Sequence, residues 1–586
     1  MKTALLYRPG FVFLYLIIIG LAIYSPVLDG DFICDDYVFL AYNHAIRHFP
    51  DLKPIWASFP TRFLAFVTFA VNYRLHGFHV LGYHLVNILI HILNSFLVYV
   101  FVRYLGQSKA VQRVSARPES LIAFWAALVF LCHPIQTQGV AYIFQRANSL
   151  ATLFYLLTVV LYLKSRCQES LFSYGLAVGT FLCAIFCKEM AVTLPGALFL
   201  CELFFLEPSR KEWKTFALRV LPFLLLCGLL LGVFAFARVD EGGLTLNNQV
   251  SKSRFSPYFF LTEVNVLRTY LRLLVFPVFQ RFEYDYPVVM SFAEFRTWLS
   301  AGLLLGLMGY AGYLFRRNRI LSFCVCWYFL TTAIEVVVVS LVHRALLFEH
   351  WLYLPMVGFA IFLVAFLYDM ARGEERFKRI GFILILSLCI MTVLRNQIWR
   401  DEVRFWEYEA ARSPNRISVH YAAGVAYDRK GRTREALRHY QRAAELDARK
   451  DAKLRLDATS IAKIYNNIGI IHARFAETER AEKAFQKALT LDSLGGGVNN
   501  NLGMLYYHAG QYEQAVEFLR RALKEGQGDN PETWESLGRS LTAQGSQEQG
   551  REALLKAREL FAEQKLMSQA RRLERVLKFF PEGRNL

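Results

Sequence analysis

Charge is missing from long stretches of this chain. Phe11–Tyr24, Leu176–Cys187 and Phe382–Leu394 hold no charged residue at all, which excludes them from a water-facing surface. Beyond about Arg400 the lack is reversed, because no apolar run there lasts more than a few residues before a charge. Cysteine is absent from that region too. All ten cysteines lie before residue 390, so the later part has no disulfide framework. Most of the ten sit inside apolar runs, where Cys324 and Cys326 read as buried thiols rather than metal ligands. Acid is the scarcer charge: 48 Asp and Glu against 66 Lys and Arg give +18 over 586 residues. That excess would suit nucleic acid. Here, however, the basic residues fall in short clusters between apolar runs, as an inside-positive membrane protein requires, so no nucleic-acid partner is expected.

What is present is a series of segments of about 20 apolar residues, the length that crosses a bilayer. They fall near 10–28, 79–102, 120–137, 148–164, 170–187, 189–206, 219–237, 297–315, 320–341, 351–370 and 379–396. Phe11–Leu28 has no small-residue cleavage site and is expected to be a retained first span. Alternate connections are basic, among them Arg103 to Arg117, Arg210 to Arg219, Arg316 to Arg319 and Arg372 to Arg379. These should face the cytoplasm. The others carry Asp29, Asp31, Asp35 and Asp36, then His133–Pro134, Lys188–Glu189, residues 238–296 and Glu349–His350. They should face a periplasm or an organelle lumen. Residues 257–278 are apolar enough to tempt a further span, but counting one would break the alternation, so a re-entrant or interfacial segment is expected. About eleven spans from an inside N-terminus leave residues 401–586 on the outer side.

That last region repeats. Glycine recurs at 424, 469, 503 and 538, and a small residue follows at Ala436, Ala481, Ala515 and Gly550. A later alanine recurs at 443, 488, 522 and 557, with aromatic positions at Tyr427, Tyr440, Phe485, Tyr506 and Trp534. The last two glycine steps are 34 and 35 residues, whereas the first is 45 and places an insertion around Lys450–Asp457. The pattern resembles the tetratricopeptide repeat, in which small residues let antiparallel helices approach and each repeat buries a face on the next. The expectation is an α-solenoid of about four repeats, capped by a final helix near Glu548–Phe579. The fold class is therefore all-α, with a polytopic membrane domain over 1–400 and a repeat domain over 401–586.

Just past the first span comes Gly30-Asp31-Phe32-Ile33-Cys34-Asp35-Asp36-Tyr37. An acidic pair at the membrane surface suits transfer of a sugar from a lipid-phosphate carrier. The acceptor hydroxyl must lose a proton as it attacks the anomeric carbon, which a carboxylate accepts. Cations must then meet the departing phosphate. The plainer reading of the pair is a helix cap in a solvated loop.

Further motifs bear on that choice. They are Arg62-Phe63-Leu64, Gly82-Tyr83-His84-Leu85-Val86-Asn87, His133-Pro134-Ile135-Gln136-Thr137-Gln138-Gly139-Val140-Ala141 and Gln145-Arg146-Ala147-Asn148. Cys187-Lys188-Glu189, Glu349-His350-Trp351-Leu352-Tyr353-Leu354-Pro355, Arg395-Asn396 and Trp399-Arg400-Asp401 follow in order. Together they resemble the transmembrane-and-TPR-containing (TMTC) family over essentially the whole chain. The resemblance implies a GT-C-class protein O-mannosyltransferase, using polyprenyl- or dolichyl-phosphate mannose and inverting the anomeric carbon. By matched position Asp35 would be the general base and Asp36 would orient the acceptor or its partner. Arg62, Arg146 and Lys188 would meet the donor phosphate or order the pocket, and Glu189 would pair with Lys188. Glu349 and His350 are matched as substrate-binding positions. Where the family commonly has glutamate and aspartate, this chain has Gln138 and Asn148, which disfavours a two-acid or metal-bridged mechanism. His350 stands where an arginine is often found.

Other polar residues have two readings each. His84, Asn87 and His91 share one helical face, and such groups more often hydrogen-bond between helices than bind metal. Arg268 and Arg272 suit either lipid phosphate or an interfacial anchor. Glu283 and Asp285 read as solvated. Two other functions fit the same sequence: a transferase acting on a glycan or lipid, and a non-catalytic membrane scaffold built around the repeats. The compact architecture favours a bacterial inner membrane with periplasmic repeats over an endoplasmic-reticulum protein with lumenal ones.

Overall fold

Each apolar segment read from the sequence falls on a helix in the computed structural model. The structure describes residues 7–108, 112, 118–206, 210–236, 256–342, 346–449, 457–492, 495–564 and 566–578. Among these residues there is no β-strand, and the chain divides into two compact units, Met1–Glu409 and Ala410–Leu586. The insertion expected around Lys450–Asp457 lies almost wholly outside the described residues.

Within the first unit, seven helices among the described residues are long and apolar enough to cross a membrane. They are Pro9–Val27, Val80–Gly106, Ile143–Gln168, Glu189–Leu206, Phe295–Leu314, Arg319–Leu341 and Glu374–Ile398. The other expected spans are also helical but fall short of this test. Glu119–Cys132 and Pro134–Ala141 form one pair bent by 50° at His133–Pro134, because proline cannot donate to the preceding turn. Leu171–Ile185 and Pro355–Ala371 are apolar but shorter. Arg210–Phe236 covers the remaining segment. Residues 257–278 hold the helix Pro257–Val275, which buries Glu263, Asn265 and Thr262 beside Val266 and Leu273 and is not among the long apolar helices.

Polar side chains join these helices from inside. Asn87 donates to the Val140 and Ile143 carbonyls at 3.1 and 3.3 Å. His91 lies 2.7 Å from the Tyr353 hydroxyl and 3.1 Å from the Leu131 carbonyl. Asn94 donates to the Ser149 carbonyl at 2.9 Å. With no apolar driving force between helices in lipid, such bonds and close packing hold a bundle together. The result fixes the bent 119–141 pair and the start of Ile143–Gln168 against Val80–Gly106. The loop after the first span rests on that frame.

The second unit is built of helix pairs. Ile417–Arg429 precedes Thr433–Arg449, Ala458–Arg474 precedes Thr478–Leu491, Gly496–His508 precedes Tyr512–Ala522, and Pro531–Gln544 precedes Gln547–Glu563. The recurring glycine has a steric cause. A Cβ would come within 2.5 Å of Tyr440 at Gly424, 2.5 Å of Phe485 at Gly469, 2.6 Å of Leu519 at Gly503 and 2.7 Å of Leu554 at Gly538. The expected final helix is two elements. Gln547–Glu563 completes the fourth pair, and Met567–Leu577 covers its end by packing Ala570 and Leu573 on Leu554, Ala557 and Phe561.

Candidate active site

A cavity of about 400 Å³ lies in the first unit, lined by several loops, by the starts of Ile143–Gln168 and Glu189–Leu206 and by the helix Arg319–Leu341. It lies within the range of small-ligand sites. Asp35, Arg62, Lys188, Glu189 and His350 all reach it. Their segments are far apart in sequence, so the fold alone brings them together.

Asp35 follows Cys34, whose φ of 53° is in the left-handed region that side chains disfavour. That turn is held from both ends. The Asp36 carboxylate accepts from the Ile33 amide at 3.0 Å and from the Phe144 amide at 2.7 Å, while the Asp35 amide donates to the Tyr142 hydroxyl at 3.1 Å. Asp36 is therefore a buried fastener between the first loop and residues 142–144 and does not line the cavity. The acceptor-orienting role expected for it gives way to this structural one. Burial pushes the Asp35 carboxyl above its usual range, and Glu283 adds to the rise. The Tyr142 hydroxyl, Arg62 and Cys34 oppose it.

The cationic side differs from expectation in its pairing. Glu189 bonds Arg62 at 3.3 Å rather than Lys188. The backbone at Lys188 is extended, with φ −163° and ψ 150°, so neighbouring side chains point to opposite sides. Lys188 instead donates to the Asn148 amide oxygen at 3.3 Å. Burial draws the Lys188 ammonium below its usual value, and Glu335 opposes this. Asn148 also donates to the His350 carbonyl at 2.6 Å, and Gln138 accepts from the His350 amide at 2.7 Å. The two amides that replace the expected acids thus clamp one residue from both sides. Burial holds the His350 imidazole well below its ordinary value, in the neutral form.

Three other expected site residues lie away from the cavity. Arg146 is fully buried and spends four of its five N–H groups on Asn87 at 2.7 Å, the Tyr83 carbonyl at 2.9 Å, Thr68 at 3.4 Å and Asn72. It also lies 4.4 Å over the Phe69 ring, so it orders the frame and leaves little for a phosphate. Arg268 bonds the Ser300 hydroxyl at 2.9 Å, which ties Pro257–Val275 to Phe295–Leu314. Glu349 is buried and accepts from the Arg281 amide and the Tyr284 hydroxyl, both at 2.6 Å, and from Gln280 at 3.2 Å. It anchors a wall of the cavity and does not face into it.

Two acids that line the cavity were not expected there. Glu283 was read as solvated but is half-buried in the wall. Glu335 projects from the span Arg319–Leu341. A lone carboxylate inside an apolar helix is itself a signal of function, and that rule would have found it. The aromatic lining comes from Tyr142, Phe144, Phe282, Phe348 and Trp351.

Comparison with known proteins bears on both units. Models described as tetratricopeptide repeat match residues 419–453 and 476–544. The second unit is built of tetratricopeptide repeats. The chain is also similar to the crystal structure of MamA, with 19% identity, coverage of 29% of this chain and 93% of that one, and a TM-score of 0.25. Across both units, the chain is 25% identical over 475 residues to the protein O-mannosyl-transferase F38B6.6 of Caenorhabditis elegans, covering 74% of this chain and 62% of the relative. It is 26% identical over 491 residues to human protein O-mannosyl-transferase TMTC4, covering 72% and 64%. For Drosophila melanogaster protein O-mannosyl-transferase Tmtc3 the identity is 26%, with 71% and 51% covered. The matches thus span between half and two thirds of these curated relatives.

Proposed function

We propose that this chain is a membrane glycosyltransferase that moves mannose from a polyprenyl-phosphate carrier to a serine or threonine hydroxyl of a polypeptide held by the TPR unit. The observation that supports it most is the meeting of Asp35 with Arg62, Lys188 and His350 in one cavity. A base and a phosphate-sized cationic group are what such a transfer needs.

In this reading the acceptor oxygen forms its bond to the anomeric carbon from the face opposite the leaving group. Its proton passes to the Asp35 carboxylate. The bond from the anomeric carbon to the phosphate oxygen breaks, and its electron pair leaves with the lipid phosphate, so the configuration inverts. Asp35 suits the task because its raised proton affinity brings it nearer working pH. Arg62 and Lys188 stabilise the departing charge, and neutral His350 offers a hydrogen bond at the same wall. The step as written uses no divalent metal, so transfer should persist in a chelator.

The TPR unit raises the local concentration of its bound polypeptide through the tether itself. The charge alternation of the loops supports an outer location for Asp35 and for the TPR unit, the periplasm of a bacterial inner membrane in this reading. Mass spectrometry of outer-compartment proteins, with and without the gene, tests the product. Hexose on serine or threonine that disappears with Asp35→Asn is the expected result. Modified glycans or lipids in place of proteins would point to the other acceptor class. Full function of a correctly inserted Asp35→Asn chain would leave the scaffold reading.

A further inference from the structure

We propose that Glu335 reads the sugar of the lipid-linked donor: its carboxylate accepts hydrogen bonds from hydroxyls of the hexose, while Arg62 and Lys188 meet the phosphate. The inference rests on the transferase reading above and deepens it by giving the sugar a holder. Glu335 is a charge in a costly place. Residues 333–339 of the span Arg319–Leu341 are otherwise one alanine, one isoleucine and four valines. An acid within such a helix needs a partner or a polar cavity to offset its lost hydration.

The fold holds that acid at the cavity. Two turns earlier on the same span, Trp327 donates from Nε1 to the Leu354 carbonyl at 3.1 Å, and the Tyr328 hydroxyl donates to the Leu267 carbonyl at 2.7 Å. The Trp327 ring packs so closely on Pro355–Ala371 that a Cβ at Gly358 would come within 2.8 Å of it. These contacts set the rotation of the span against two neighbouring helices. Ile334 and Val338 line the cavity together with Glu335, as residues three and four apart on one helical face must. Among the described residues, no hydrogen bond or ion pair holds the Glu335 carboxylate.

The cations of the cavity have other partners: Arg62 bonds Glu189 at 3.3 Å, and Lys188 bonds Asn148 at 3.3 Å. A second group in the same lining is also unmatched. His350 is 7% exposed, and its Nδ1 is buried with no hydrogen-bond partner. Its ring is nonetheless oriented, stacked on Phe348 at 5.2 Å and 24°. Buried polar atoms left unbonded call for a ligand or water. A carboxylate that only accepts, beside an imidazole that can donate or accept, is a set that hydroxyls satisfy. The donor's phosphate cannot satisfy Glu335, because it carries the same sign of charge and has no proton to donate. Trp351, in the same lining, offers an apolar face to the C–H groups of a sugar ring.

The experiment needs no acceptor. Full-length protein in detergent is titrated with polyprenyl-phosphate mannose and with polyprenyl phosphate alone, and binding is followed by quenching of tryptophan fluorescence. Wild-type protein should bind the mannose form more tightly. Glu335→Ala is expected to lose about tenfold or more of that advantage, and Glu335→Gln, which keeps one accepting oxygen, a smaller part. Affinity for polyprenyl phosphate should stay unchanged or rise. A mere counter-charge for Lys188 and Arg62 would move both ligands together, and that result overturns the proposal. So do equal binding of the two ligands by wild-type protein, an unchanged mannose advantage in whichever variant folds, and loss of folding in both variants. If wild-type protein binds neither ligand, the transferase reading fails and the proposal with it. If the expected binding pattern appears but no polypeptide gains mannose, the transferase reading fails and the sugar subsite stands.

Discussion

Asn148 performs two tasks that only an amide combines. It donates to the His350 carbonyl at 2.6 Å and accepts from Lys188 at 3.3 Å. An aspartate could keep the second bond but not the first, and would set an oxygen against an oxygen. Asn148→Asp is therefore expected to loosen His350 and to hold Lys188 in an ion pair, raising KM for the lipid-phosphate donor about tenfold with a smaller change in kcat. An unchanged KM would show that Lys188 does not meet the donor. Asp35→Asn should lower transfer by about 10²- to 10⁴-fold, the usual contribution of a general base. Wild-type activity should fall as the pH drops through the raised Asp35 value, since the base is then protonated. Arg146→Ala should act on stability instead, because it leaves Asn72, Asn87 and the Tyr83 carbonyl buried without their donor. A loss of about 3 kcal/mol or more, seen as a lower unfolding temperature with donor KM unchanged in surviving protein, is expected. At this scale the motifs picked out three residues that the fold brings to one cavity, Asp35, Lys188 and His350. The sequence misled where a charge has a partner far along the chain. Arg146 and Asp36 look reactive in sequence and are fasteners in the fold, and Glu283 looks solvated until the residues on either side of it are anchored.

The loop 280–284 is an element defined by what holds it. Burial pushes the Glu409 carboxyl up to about 7, against the opposing effect of Arg395 and the Phe282 amide. A carboxyl raised in this way favours the folded state at pH values below its ordinary range. That contribution is lost as pH rises through about 7. Unfolding temperature of the purified chain should thus decline between pH 5 and 8, and Glu409→Gln should flatten part of that decline. In the TPR unit, Gly469→Leu forces a side chain into the Phe485 ring, which a Cβ alone already meets at 2.5 Å. A loss of about 1–3 kcal/mol is expected, seen as a lower unfolding transition of the repeats. Elements were legible because their periods are local: the apolar segments all proved helical, and the small residues marked each helix pair. Their lengths were less so. The bend at His133–Pro134 is written in its proline, but apolar composition alone does not set where Leu171–Ile185 and Pro355–Ala371 stop short.

Across the whole molecule, segregation of charge marks the two units, since a bilayer and water select opposite compositions. The proposed sidedness rests on the same charges and can be checked directly. A protease site placed after residue 578 should be cut from outside in intact spheroplasts, and one placed within residues 316–319 only after permeabilisation. Cutting of both from the same side would overturn the alternation. One feature of the cavity then governs how the molecule would cycle. Arg62 already holds a partner in Glu189 at 3.3 Å, so in the proposed reaction an arriving phosphate would swap places with a resident carboxylate instead of filling a vacant charge. Loading and unloading would then be near-symmetrical exchanges, with the spent lipid phosphate ejected by the return of Glu189. Removing that internal competitor with Glu189→Gln should make the protein retain its spent carrier, so that turnover slows at the release step while the first round of transfer proceeds normally.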